Sequence, residues 1–446
     1  LCVFILFVSV GAKALEIVDA TTDSIETSTA DAGVAGDVLV SSDGSISLED
    51  DTGLPAIRLN SDNTITIEGT VEVLNTDAIQ ALVLEGGNTS TLTLSGLVQV
   101  VEDYVREDTD ADGDFDGAYA LGGDRIGVHV SGVAPLVSDL ILESSGILYV
   151  EGNSSQGIQL DTQLQGNITN FGNITVVGEN STAININAEM IGDLSQVGEI
   201  LTLGEAIVGI QINQAVTGSV SNSGSVVSSG FFSNTVSNYI EPSLVTENTL
   251  PLEERIDAEE LLVGGSALQV HASVSEGLLN NGVIDTFLDA TELADDTKDT
   301  AEDFDENRSA GSLSTFGSAP TLRISALVDG TTDDLVLGAV VEDVLDTLDD
   351  DSDLDTSEVL ATLAFDYGLL NRGSIAADGL NEGFSATAIS ISGATDGSRS
   401  VVIEGGLFNS GSISADAVEG NATSIYLGDF TQLDTLINEG SIGAQS

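Results

Sequence analysis

The run Asp108-Thr109-Asp110-Ala111-Asp112-Gly113-Asp114-Phe115-Asp116 carries the sharpest chemical pattern in this chain. Its carboxylates fall at loop positions 1, 3, 5 and 9, with glycine at position 6. Hard oxygen donors at alternate positions wrap one divalent cation, and the glycine permits the sharp turn between them. Asp108, Asp110, Asp112, Asp114 and Asp116 are therefore the candidate metal ligands, and Ca2+ is the candidate ion. Position 12 is Tyr119 instead of the bidentate glutamate that closes such a shell. Asp124 or a carboxylate from a neighbouring segment would have to substitute. The competing reading of the same run is an acidic, solvated loop. Asp349, Asp350, Asp351, Asp353 and Asp355 form a second cluster, but it has no turn glycine and reads as a solvated charge run.

Groups that could do catalysis are few. The two histidines are His129 and His271. His129 sits mid-strand in GVHV, where equivalent segments carry Gln159, Asn185, Gln211 and Gln269, so it reads as an outward polar residue. His271 falls one residue past its strand. No nucleophile elbow, zinc helix or phosphate-binding glycine loop occurs. Carboxylate pairs could hydrolyse a glycoside, but among 73 acidic residues such pairs carry no signal. Outside the N-terminal segment the bases are Arg58, Arg106, Arg125, Arg255, Lys298, Arg308, Arg323, Arg372 and Arg399, scattered along the chain. No catalytic or cofactor-binding residue is nominated.

The elements that must position these residues come from repetition. Asn-x-Gly-x-Ile/Val occurs six times, from Asn170, Asn222, Asn280, Asn371, Asn409 and Asn438. Between the copies runs a small residue followed by alternating aliphatics: GIQL at Gly157, AINI at Ala183 and GIQI at Gly209, each 26 residues after the last. A fixed period of this size marks a stacked repeat, because one unit cannot bury its own apolar face. Period-2 alternation makes each segment a strand, and stacked strands pair about 4.8 Å apart. Gly supplies the corner through positive φ. Asn at the same corner of successive coils would form an amide ladder. The fold class expected is all-β, a right-handed parallel β-helix (β-solenoid) with acidic insertion loops.

Its expected organisation is a truncated signal peptide over 1–14, an N-terminal cap region over 15–55 and the solenoid over 56–446. Insertions fall at about 101–124, 231–266, 288–320 and 329–366. The first three should leave the rod at one corner and the last at another. Glu253–Leu262 and Leu335–Leu348 read as short helices within them. Insertions on one face often form the binding face of such a rod.

The formal charge is −63, from 73 acidic and 10 basic residues. Such a chain repels nucleic acid and anionic membrane surfaces, which are themselves polyanions. Hydrophobic residues still make up 41%, so this is not an acidic disordered tail. Leu1–Val10 is almost wholly apolar, and Ala12-Lys13-Ala14 offers a small-x-small cleavage pattern, which predicts export. The only cysteine, Cys2, falls inside that leader, so stability must come from packing, metal ions or both.

The leader, the repeats and phrases such as Gly166–Gly178 (GNITNFGNITVVG) and Gly406–Gly420 (GLFNSGSISADAVEG) resemble the passenger regions of bacterial autotransporters. The resemblance covers most of 56–446. It implies a parallel β-helix carried to the cell surface by a membrane β-barrel that would follow Ser446. It also implies a role as adhesin, stalk or interaction surface, with a host or neighbouring cell surface, a glycan or a second copy as partner. No motif of the family's enzymatic members matches a position here. Two other classes remain open: a β-helical polysaccharide hydrolase or lyase, and a surface-layer or matrix protein.

Overall fold

The computed structural model describes residues 14–49, 53–107, 117–230, 261–281, 310–328, 332–345, 359–380 and 383–446. They form a parallel β-solenoid. A 14-stranded, a 12-stranded and an 11-stranded sheet run along it, each adding a strand per coil. The first face begins with Leu15–Ile17, Val38–Val40 and Ile65–Ile67; the second with Ala20–Thr21, Ser45–Glu49 and Thr70–Leu74. The third begins with Ile25–Glu26, Ile57–Leu59 and Gln80–Glu85. The 12 strands of the second face make 12 layers, a rod roughly 50 Å long at the parallel-strand spacing. Among the described residues the first strand is Leu15–Ile17, and the stretch 15–55 expected as a cap contributes strands to all three faces.

Alternation decides what the rod buries. In Ile168–Asn170 the outer two residues point inward and Thr169 outward; Asn173–Val177 buries Ile174 and Val176. The inward residues form one continuous aliphatic core from Ile17 to Ala417. Between the third and first faces runs a shorter column through Leu164, Met190, Val216, Val274 and Leu337, all fully buried.

At the corner from first to second face, successive coils approach too closely for a side chain. Gly44, Gly69, Gly96, Gly146, Gly172 and Gly198 stack there, and the column continues to Gly440. A Cβ on Gly224 would lie 2.0 Å from the Gly198 carbonyl oxygen, and one on Gly373 the same distance from that of Gly311. None of these corner glycines has positive φ. Their requirement is therefore not the conformational freedom expected from sequence but close approach: a side chain would push the next coil away. At Asn280 the repeat in sequence supplies Gly282, which lies outside the described residues. Gly311 occupies the corner instead, accepting from Ser374 N on the next coil at 2.8 Å.

Beside the glycines runs the amide ladder. The column Ile17–Val40–Ile67–Leu94–Leu142 is aliphatic and becomes polar at Asn170. Asn170 Nδ2 donates to Gln196 Oε1 at 2.8 Å. Asn222, Asn280 and Asn371 each donate to the asparagine of the next coil, at 2.8, 2.7 and 2.6 Å, and Asn409 to Asn438 at 2.6 Å. Between Gln196 and Asn222 the chain of bonds is interrupted, because Gln196 Nε2 turns to the Gly198 carbonyl at 2.9 Å. Asn170, Asn280, Asn371 and Asn409 are fully buried, which is tolerable only because both ends of each amide are bonded.

The excursions depart from three corners, not two. Residues 102–125 and 230–267 bridge second-face to third-face strands, as expected. The third does not share their corner. Ser312–Phe316, placed by sequence within 288–320, is a second-face strand paired with Ser225–Ser229, so the departure lies between Asn281 and Ala310, at the glycine corner. The last, between Ser325 and Leu369, does leave elsewhere. Where a helix is expected at Leu335–Leu348, the described residues up to Leu345 form two strands. Leu335–Leu337 rejoins the rod beside Val401–Ile403, and Val341–Leu345 pairs antiparallel with Val359–Ala364. Apolar spacing there fits both periods, and Gly338, packed against the Ser275 carbonyl, breaks a helix. Most of Glu253–Leu262 lies outside the described residues.

Gly373→Ala should destabilise the rod by about 3 kcal/mol or more, since backbone cannot yield as a side chain would. Asn371→Ala should cost about 1–3 kcal/mol for each buried group left unpaired. Hydrogen exchange of coils flanking residue 373 checks both; unchanged protection in Gly373→Ala would refute the stacking account.

Candidate binding face

Outward side chains on the third face form registered columns. His129, Gln159, Asn185, Gln211, Gln269 and Arg323 stand one above another on successive coils. Two residues on, Asp161, Asn187, Asn213 and His271 make a second column just past the strands. Small residues at Gly157, Ala183 and Gly209 let neighbouring coils close up: a Cβ at Gly157 would lie 2.4 Å from the Ala183 carbonyl.

The two columns are cross-bonded. Asp161 accepts from Gln159 Nε2 at 2.6 Å and Asn187 Nδ2 at 3.1 Å, and its other contact is His129 Nε2 at 2.9 Å. Asn213 Nδ2 reaches Asn187 Oδ1 at 2.9 Å and Asn185 Oδ1 at 3.2 Å, while its own oxygen accepts from Gln211 at 3.2 Å. His271 is buried, with Nδ1 2.9 Å from the Ser325 carbonyl oxygen, which makes that nitrogen the donor. Burial pushes its pKa down, and with Nδ1 as the donor Nε2 is an acceptor that lies 3.2 Å from Gln269 Oε1, a second acceptor. The result is a flat array of oriented amides over four coils, with one carboxylate at its edge. His129 thus takes the outward polar place read from GVHV.

No family model, curated protein or solved structure matches the chain.

Asp108, Asp110, Asp112, Asp114 and Asp116 lie outside the described residues, as do Asp349, Asp350, Asp351, Asp353 and Asp355. Among the described residues no group of three His, Cys, Asp or Glu could hold a metal ion. What the structure does define is the base of the first excursion. Tyr119 at loop position 12 is buried, and its hydroxyl donates to the Gly230 carbonyl, so it is committed elsewhere.

Arg125 anchors this base. It is 2% exposed and bonds the carbonyls of Thr76 and Glu151 at 3.0 and 2.6 Å. Its Nη2 meets Asp77 at 2.9 Å and buried Glu102 at 3.0 Å. Glu102 in turn accepts from the backbone N–H of Leu121 and Gly122, at 2.6 and 2.9 Å. Arg106 pairs with buried Glu151 at 3.1 Å. Sequence reading scattered these arginines without role. The available signal was that two of only 10 bases bracket the aspartate run.

Burial outweighs the nearby arginines at Glu151 and raises its pKa; burial does the same at Asp378. Asp37 is shifted down, chiefly by the hydrogen bond from the Thr64 backbone N–H. A raised carboxyl contributes stability that is present below the unfolded pKa and lost as pH rises through the folded one. A lowered carboxyl contributes above the unfolded pKa and loses it as pH falls through the folded one. Glu151 and Asp378 should therefore lower the melting temperature as pH rises above the ordinary carboxyl values of 4.5 and 3.8, whereas His271 loses its contribution as pH falls below 6.5 and Asp37 as it falls below 3.8. Glu151→Gln should lessen that fall with rising pH in a pH series of thermal melts. Arg125→Ala should cost about 3–5 kcal/mol by leaving Glu102 buried and uncompensated; exposed Asp77 adds little. A urea midpoint unmoved by that substitution would refute the anchor.

Proposed function

We propose that this chain is an exported, cell-surface β-solenoid that serves as adhesin, stalk or interaction surface. The observation that carries the reading is the ordered amide array on the third face of a rigid rod. A surface laid along an axis suits contact with an extended partner better than chemistry on a small molecule. The apolar leader and the likeness to autotransporter passengers supply the export route. A charge of −63 keeps such a rod soluble and turns polyanions away. No described helix is long and apolar enough to cross a membrane; a translocating barrel would cross with strands.

Antibody raised against the folded chain should label intact cells of the source organism, and external protease should remove the signal. Labelling only after lysis would overturn the reading.

Calcium stabilisation is part of the proposal and rests on the spacing at Asp108–Asp116. Added Ca2+ should raise the melting temperature, as any ligand of the folded state does. Asp110→Ala with Asp112→Ala should abolish the rise; a rise of equal size in the double variant would sink this site.

A further inference from the structure

The array on the third face has a chemistry, a spacing and a charge, and together they select a ligand. Gln159, Asn185, Gln211 and Gln269 are half-buried and outward, so each amide keeps a solvent-facing side. Gln159 donates to Asp161 and Gln211 to Asn213, and Asn185 accepts from Asn213, so these three are held in place before any partner arrives. Side chains fixed in advance lose little freedom on binding. A primary amide offers donor and acceptor side by side, which matches adjacent hydroxyl groups. The amides recur once per coil, about 4.8 Å apart, so the complementary ligand is itself periodic along the axis.

Charge narrows the choice. Across these four coils the only carboxylate in the two columns is Asp161, and it is bonded to its neighbours. The chain as a whole carries −63, so an anionic polymer is repelled before it reaches the array. A cationic one would settle on the acidic turns. A neutral polymer meets neither obstacle. The two columns contain no aromatic platform between residues 129 and 325, so affinity must build up from many polar contacts.

From these three features we infer that the third face binds a neutral, extended polysaccharide, its chain along the rod axis over Gln159, Asn185, Gln211 and Gln269. The inference rests on the interaction-surface reading above and names its ligand class. Arg323, exposed on the next coil of the same column, extends the track with a further donor.

The test is calorimetric titration of the full chain with β-1,4-linked gluco-oligosaccharides from the disaccharide to the octasaccharide. Affinity should rise with length and level off near the tetrasaccharide, because four coils span about 14 Å. Gln159→Ala with Gln211→Ala should weaken octasaccharide binding at least about tenfold, a loss of about 1.4 kcal/mol. Isosteric Gln159→Glu with Gln211→Glu keeps volume and removes donors, and should do the same; thermal melts confirm that each variant folds. No binding at any length, binding independent of length, or equal affinity in both folded variants overturns the inference. Tighter binding of polygalacturonate than of the neutral octasaccharide overturns it as well. Surface labelling of intact cells is read separately: labelled cells whose protein ignores the oligosaccharides discard the ligand and keep the surface role, whereas unlabelled cells discard that role itself.

Discussion

The rod depends on one close approach, the backbone of each coil against the glycine below it at the corner between the first and second faces. Gly198 sits on Gly172, Gly224 on Gly198, Gly411 on Gly373 and Gly440 on Gly411, always with a carbonyl oxygen where a Cβ would stand. That contact sets the distance between coils, and the strand ladders of all three faces follow from it. It also explains the amide ladder: with coils this close, an asparagine at the neighbouring position reaches the next asparagine at hydrogen-bonding distance. Aliphatic residues fill the same column up to Leu142. The glycine is thus the constant of the corner, and the amide is one of two ways to fill the space beside it.

Stacking must also overcome repulsion. With 73 acidic residues, the rod tolerates its charge because the strands carry little of it. Four of the described bases sit at the roots of the excursions. Arg106 and Arg125 hold the base of the first. Arg372 meets buried Glu342 at 2.8 Å, with its guanidinium 4.8 Å from the Phe365 ring centre. Arg399 Nε donates to the Asp333 carbonyl at 2.7 Å. The hairpin so pinned has a satellite core of Leu279, Val340, Leu370 and Phe408 beside it, outside the main one. Arginine suits these places because its planar fork can satisfy several acceptors at once while staying charged in a buried setting.

Each face therefore has its own outward character. The first is covered late in the chain by apolar packing. The third presents amides in register, bonded among themselves, along a stretch where a partner could lie. A repeat fold makes such an array easy to build, since one outward position per coil becomes a line of identical chemistry down the axis.

The sequence by itself determined the architecture. Alternation in GIQL, AINI and GIQI fixed which residues turn inward, and the 26-residue step fixed their register. The Asn-x-Gly repeats mark the ladder's asparagines in the sequence itself. What sequence could not show is contact between residues distant along the chain. The role of the corner glycine depends on the carbonyl one coil away, so local φ preference gave the wrong reason for it. Ser312–Phe316 and Leu335–Leu337 were hidden because short strands isolated by long excursions carry too few residues to show a period. The anchoring by Arg125 joins Thr76, Asp77, Glu102 and Glu151, whose meeting depends on how the coils stack. The amide array has the same origin. Single glutamines and asparagines spaced along the chain are unremarkable, and only stacking sets them into one surface.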